Sequence, residues 1–419
     1  MKKISFILSA ILLLALVISA CKPAPTAAPT EAPVATEAPT EAPTPEPTVN
    51  PLAGVVIQFW HVYSDAPGEG LQSLVDEFNS TNEYGITVEA LNQGNYGDVE
   101  DKVNAGIQSG DLPDVVMGYT NSLTDWYSVG SIIDLNPYIN DPVYGLTAEQ
   151  LADLYPHLKV AGTTPDGAWV AYPLTQSANV LVYNYTWAEE LGFANPPATS
   201  AELKEIACAA AAANTAKGGD FAGTGGLVYY PNATNWLHFL YAFGGKELNE
   251  AGDAYDFSSQ AAIDASMYIL DLKKDGCVWQ TESYPNPEQA QRKALITMSS
   301  TAGEKYYAAA FKDAGNTTDK WGWLPAYGPD GKQAVDAFQQ MLGVVPSTEP
   351  EQLASWVFVK WLTSPEIQAR WVKLSGGYYG TQKATEALLA DYGTENPVWA
   401  SGVALAAIGP SEPQTFPPS

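Results

Sequence analysis

Beyond residue 54 the apolar positions fall into short runs whose period switches between strand-like and helix-like. Val55-Val56-Ile57-Gln58-Phe59 reads as a buried strand. From Gly70 to Phe78 the apolar residues Leu71, Leu74, Val75 and Phe78 share one helical face. Ile86 to Leu91 alternates as a second strand, and Asp98 to Ile107 predicts a helix with Val99, Val103 and Ile107 on one side. Asp114-Val115-Val116-Met117 is a third strand. This strand, helix, strand, helix, strand rhythm predicts a parallel sheet covered by helices.

The pattern resumes after residue 175. Asn179 to Tyr183 reads as a strand, and Thr199 with Glu202 predicts a capped helix running through Ala213. Ser258 to Lys274 is amphipathic and stops at Gly276. Ala294 to Met298 is strand-like, Gln352 to Leu362 helical, and Ser364-Pro365 opens a further helix. Two α/β lobes therefore fit better than one sheet.

The first 53 residues do not belong to this pattern. Lys2 and Lys3 precede an apolar run from Ile4 to Ile18, closed by Ser19-Ala20-Cys21, which reads as an export signal over 1–20. Residues 21–53 begin with that cysteine and continue in Pro, Thr, Ala and Glu, a composition suited to an extended tether and not to a core. Ile18-Ser19-Ala20-Cys21 resembles a bacterial lipobox, which implies cleavage before Cys21 and acylation of its sulfur.

Charge narrows the partners. With 47 Asp and Glu against 20 Lys and Arg, the chain repels phosphate backbones, so nucleic acid is excluded as an expected partner. Only Arg292 and Arg370 are arginines, the residue best suited to clamping carboxylates and phosphates, so a strongly anionic ligand is disfavoured. Cys208 and Cys277 are expected to form a disulfide outside the cytoplasm, buried free thiols being the alternative. His61, His157 and His238 are not spaced as a metal site, and no cofactor is expected. No serine-nucleophile elbow, zinc-protease helix or phosphate loop is present, which leaves a lipid-anchored glycosidase as the enzymatic alternative.

Several segments taken in order resemble a known family. They are Phe59-Trp60-His61, Leu74 to Asn79, Gly94-Asn95-Tyr96, Gly110 to Val116, Asp134 to Ile139, Tyr172-Pro173-Leu174 with Ser177, Val182-Tyr183-Asn184, Pro196-Pro197 and Trp361 to Glu366. From Val55 to about Lys383 the chain resembles the extracellular solute-binding proteins that include maltose- and glycerol-3-phosphate-binding members. The resemblance implies two α/β lobes crossed near Pro173 to Ser177, Met341 to Val345 and Ser375 to Gly377, with residues 54–174 and 342–375 in one, 175–341 and 376–419 in the other, and ligand trapped between them by hinge closure. It also implies an ABC permease as partner, a monomer, and a place on the outer face of the membrane or in the periplasm, with membrane contact only through the lipid.

Sugars present apolar faces and hydroxyls, so aromatic platforms and small polar side chains are the candidates. Trp60 and His61 follow the first strand, at the sheet edge where open α/β sheets bind ligands. Tyr96 and Asn121 follow the next strands, and Ser177 lies at the first crossing. Trp236, Ser299, Ser300 and Trp323 are the candidates from the second lobe, core packing or helix capping being the alternative for each. Tyr378 and Tyr379 lie at the last crossing. The resemblance implies an acid near Thr120 and an arginine near Gln382; this chain has neither, so a neutral mono- or oligosaccharide is expected in place of a polyol phosphate.

Overall fold

The structure is a computed structural model that describes residues 50–250, 254–281 and 284–408. The export signal, most of the tether and Cys21 lie outside the described residues. Eleven strands are present among the described residues: β1 (Val56–His61), β2 (Thr87–Asn92), β3 (Val115–Gly118), β4 (Tyr172–Asn184), β5 (Gly225–Val228), β6 (Val278–Trp279), β7 (Ala294–Ser300), β8 (Trp321–Leu324), β9 (Ala326–Tyr327), β10 (Gln333–Ala334) and β11 (Asp336–Val344). Their main sheet runs in the order β2-β1-β3-β11-β4-β7-β5-β6, and β8 also pairs with β4.

The strands β1, β2 and β3 are mutually parallel, as are β5, β6 and β7. The first group has helix 65–81 after β1 and helix 96–109 after β2. The helix at 96–109 starts where Asn95 and Asp98 cap each other's backbone N–H groups and ends at Gly110 in the left-handed conformation. In the second group, Thr199 accepts from the Glu202 amide to open helix 200–217, while the Glu202 carboxylate bonds the Ala198 amide.

Both faces of each half-sheet are apolar, as parallel strands covered on two sides require. Alternation along the strands assigns the residues. Val115 and Met117 join Phe59, Phe78, Leu342 and Trp371 in one core, while Val116 joins Val99, Trp126 and Met341 in another. Likewise Leu181 and Tyr183 pack with Leu203, Phe239 and Ile296, and Val180 and Val182 with Tyr307 and Trp323. The result is a two-lobed α/β fold with a separate set of cores on each side of the crossings.

Two of those crossings are the long antiparallel strands β4 and β11. β4 continues through both the expected crossing at 173–177 and the expected strand at 179–183, and all 13 of its residues are buried. Its proline, Pro173, sits beside a register shift between Gln340 and Met341, where a missing N–H is tolerated. The third crossing passes through Gly376 and Gly377, both at positive φ, and a side chain on Gly377 would strike the Thr301 carbonyl. Beyond it Tyr379 and Gln176 exchange backbone hydrogen bonds of 2.9 Å in both directions. Gln382 and Lys383, in the stretch expected in the second lobe, bond back to Ala152, Asp153, Leu154 and Glu149. Cys208 and Cys277 are joined as a disulfide that ties helix 200–217 to the segment before β6.

Candidate functional site

Because β4 runs parallel to β1 and β3 and antiparallel to β7, the C-terminal ends of both half-sheets point toward the crossings. Loops at such ends are where open α/β sheets hold ligands. Four tyrosines gather there. Tyr63 lies just past β1 and Tyr119 just past β3, Tyr96 opens helix 96–109, and Tyr378 comes from the third crossing. The Tyr96 and Tyr119 rings stack with centroids 4.1 Å apart, and the Tyr63 and Tyr378 rings meet edge to face at 6.4 Å. Burial raises the pKa of all four, that of Tyr119 to about 12, so the group is uncharged at neutral pH.

The floor beneath them is the pair β4 and β11. Directly opposed residues project to the same face. Thr175 opposes Gln340, Ser177 opposes Phe338, and Asn179 opposes Asp336. The Thr175 hydroxyl donates to Gln340 Oε1 at 3.2 Å, and the Tyr63 hydroxyl approaches Thr175 from the first lobe. At the other end Asn179 donates to Asn235 Oδ1 at 3.2 Å and stands beside Ser300 of β7. The opposite face carries Gln339, Gln176 and Tyr379 in a row, with His157 Nε2 2.9 Å from Gln176 Oε1.

Three buried polar atoms around the tyrosine cluster make no well-aligned hydrogen bond: Tyr63 Oη, which only approaches Thr175, Tyr96 Oη, which only approaches the Tyr119 hydroxyl, and Thr120 Oγ1. Buried groups of this kind are costly to leave unpaired, and those beside the tyrosine rings are able to hydrogen-bond a ligand.

The expected residues divide in this frame. Tyr96, Ser177, Tyr378 and Ser300 lie on the floor or its walls, although the Ser300 hydroxyl already accepts from the Ala302 amide at 3.2 Å. Trp60 is half-buried at the end of β1, on the opposite face from Phe59 and His61. His61 is buried and accepts from the Tyr63 amide at Nδ1, 3.2 Å away; burial lowers its pKa to about 4 and keeps it neutral. Asn121 is exposed, while its neighbour Thr120 is buried. Trp236 donates to Ser266 and meets Phe257 edge to face, away from the tyrosines. Ser299 shares the face of Val180, and Trp323 is 2% exposed between Tyr307 and Trp321. Tyr379 packs in a core with Val372, Leu388 and Trp399, and its hydroxyl donates to the Trp399 carbonyl. Tyr63, Tyr119, Thr175, Asn179, Asn235 and Asp336 are candidate-site residues that sequence reasoning passed over. A strand-end position was the available signal for Tyr63 and Tyr119; the cross-strand register that groups the others had none.

Neither arginine reaches the site. Arg370 clamps the Glu77 carboxylate with both of its terminal nitrogens. Arg292 bonds Glu190 through two nitrogens, at 2.6 and 3.1 Å, and Asp319 through Nε at 2.8 Å. Among the described residues no group of three or more His, Cys, Asp or Glu side chains could hold a metal ion.

Comparison with known proteins matches residues 73–406 to the family model described as bacterial extracellular solute-binding protein. A sequence relative, the sn-glycerol-3-phosphate-binding periplasmic protein UgpB of Rhizobium meliloti, is 22% identical over 340 residues, covering 80% of this chain and 77% of its own. Among solved structures, the cyclic alpha-maltosyl-1,6-maltose binding protein of Arthrobacter globiformis superposes with a TM-score of 0.72 at 22% identity, over 86% of this chain and 89% of that one. UgpB from Mycobacterium tuberculosis, solved with glycerophosphocholine, gives a TM-score of 0.69 at 18% identity, over 87% of this chain and 89% of that one.

Proposed function

Because the chain belongs to the bacterial extracellular solute-binding protein family, we propose that it captures a neutral saccharide outside the cell and delivers it to the permease of an ABC importer. The observation that carries this reading is the uncharged cluster of Tyr63, Tyr96, Tyr119 and Tyr378, with unpartnered hydroxyls on Tyr63 and Tyr96, over a floor of hydroxyl and amide side chains. Tyrosine rings suit the apolar faces of a sugar, and the hydroxyls and amides suit its polar rim. The commitment of both arginines to carboxylates elsewhere supports a ligand without a phosphate.

In this reading Tyr96, Tyr119 and Trp60 belong to the first lobe, Ser300 and Asn235 to the second, and Thr175, Ser177 and Tyr378 to the crossings. Closure about β4, β11 and the Gly376-Gly377 turn brings the walls onto the ligand. The protein works as a monomer without a cofactor and performs no chemistry on its cargo. Lipid on Cys21 holds it to the outer face of the membrane, and residues 22–53 give the domain its reach.

A polyol-phosphate ligand is the second reading, favoured by the relatives named for glycerol 3-phosphate and solved with glycerophosphocholine. Calorimetry on the full chain distinguishes the two. Neutral mono- to oligosaccharides should bind with an affinity that salt leaves nearly unchanged, since no full charge pair is screened. Salt-sensitive binding of glycerol 3-phosphate or glycerophosphocholine, with every neutral sugar silent, would overturn the saccharide reading.

A further inference from the structure

The floor of the site carries one carboxyl group. Along β4 the positions Thr175, Ser177 and Asn179 face the same way, and their partners on β11 are Gln340, Phe338 and Asp336. Asn179 in turn opposes Ser300 on β7, so Asp336, Asn179 and Ser300 stand side by side across three adjacent strands. Asn235, at the start of helix 233–242, bonds Asn179 and closes this end of the row. The row therefore joins an acid, two amides and a hydroxyl where β7 ends and the two lobes meet.

Asp336 is only 4% exposed, yet no hydrogen bond or ion pair to its side chain is formed among the described residues. Carboxylates at this depth are ordinarily paired with a cation or with several donors. The surroundings supply neither. Glu247 is the charged group facing it, and its like charge works against ionisation. Helix 233–242, packed on this end of β11, brings His238 and Tyr241 as its titratable groups. His238 is held neutral by burial, its pKa lowered to about 4, with Nε2 at the Ala334 carbonyl, and Tyr241 is bonded to Glu247. A carboxyl at the meeting of the two lobes with no protein partner of its own can take one from a ligand.

We propose that Asp336 is a ligand-contacting residue, its carboxylate accepting hydrogen bonds from two neighbouring hydroxyls of the bound saccharide. The two oxygens of a carboxylate span a pair of adjacent hydroxyl donors, and bonds to an ionised acceptor are about twice as strong as neutral ones. This rests on the saccharide reading above and sharpens it. The ligand must present adjacent free hydroxyls to the second lobe.

Burial and Glu247 raise the Asp336 pKa to about 7. The acceptor form therefore grows from about a tenth of the molecules near pH 6 to about nine-tenths near pH 8. Affinity for a hydroxyl-donating ligand should rise about tenfold over that interval. Burial also places Glu304, at the start of helix 304–313, near 7, so the wild-type profile alone does not isolate Asp336. The variant Asp336→Asn does, because it keeps the shape and removes only the titrating acceptor.

The experiment is calorimetric titration of the full chain with glucose, maltose, maltotriose, lactose and sucrose near pH 6 and pH 8. It is run on the wild type, Asp336→Asn and Asp336→Ala, each checked by thermal melting. For a sugar that binds the wild type, Asp336→Asn should weaken binding at least tenfold near pH 8 and lose most of the pH dependence, with a melting temperature equal to or above the wild type. Undiminished affinity in a folded Asp336→Asn or Asp336→Ala variant overturns the proposal and leaves the saccharide reading standing. Silence of the wild type toward all the sugars, with glycerol 3-phosphate bound, overturns both.

Discussion

Replacing Tyr96 by phenylalanine separates a hydroxyl kept for ligand from one kept for stability. The ring stacks on Tyr119 with centroids 4.1 Å apart, and the substitution preserves that contact. The hydroxyl oxygen is buried with no hydrogen-bond partner. In an ordinary core, removing a hydrogen-bonded tyrosine hydroxyl costs about 1 kcal/mol. Here only a weak approach to the Tyr119 hydroxyl is lost in the unliganded protein, and most of the penalty of an unpaired buried group is relieved. Stability should therefore stay level or rise by up to about 1 kcal/mol, which for a chain of this length moves the melting temperature upward by only about 1–2 °C. Binding should move the other way. A hydroxyl that gains its partner only from ligand contributes about 1–2 kcal/mol to the complex, so the dissociation constant should rise roughly five- to thirtyfold. Thermal melting and calorimetry on the same preparation give the two signs. A variant that melts lower and binds ligand as tightly as the wild type would show that the hydroxyl serves the fold, and would refute the assignment of this cluster as the site.

Two further outcomes follow from the covalent features. Breaking the Cys208–Cys277 bridge, with its sequence separation of 69, should destabilise the second lobe by about 4 kcal/mol on the chain-entropy argument, and denaturant unfolding of Cys208→Ser/Cys277→Ser against wild type measures it. A loss under about 1 kcal/mol would contradict that argument. Cys21→Ser should abolish labelling by radioactive fatty acid and release the protein from the membrane fraction or leave it unprocessed there, with ligand affinity unchanged. Persistent labelling would remove Cys21 as the anchor.

Local sequence determined the elements of this protein and much of their order. The alternation of Val115, Val116 and Met117, and of Val180, Leu181, Val182 and Tyr183, divides these residues between two cores because successive strand residues point to opposite faces. The signals in Thr199, Gly276 and Ser364-Pro365 act within one helical turn, so helix ends lay within a few residues of the expected ones, as at Glu349–Leu362 against 352–362. The helix at Asp65–Thr81 starts six residues before Leu71, the first residue of its apolar stripe, since an exposed first turn needs no periodicity and tolerates Pro67.

The site depended on relations that no local pattern carries. Tyr378 and Tyr379 are equivalent as sequence, yet one reaches Tyr63 and the other lies against Trp399, because the backbone pairing of Tyr379 with Gln176 sets which of the two turns inward. Trp323 and Trp236 had the composition of sugar platforms, and tertiary packing used one for the core and bonded the other to Ser266. Asp336 was one acid among many until the register of β11 against β4 set it beside Asn179. Periodicity, caps and short motifs act over a few residues and survive in the sequence. Register, facing and the choice between a ligand and a core partner arise from strands more than a hundred residues apart, and only the folded chain decides them.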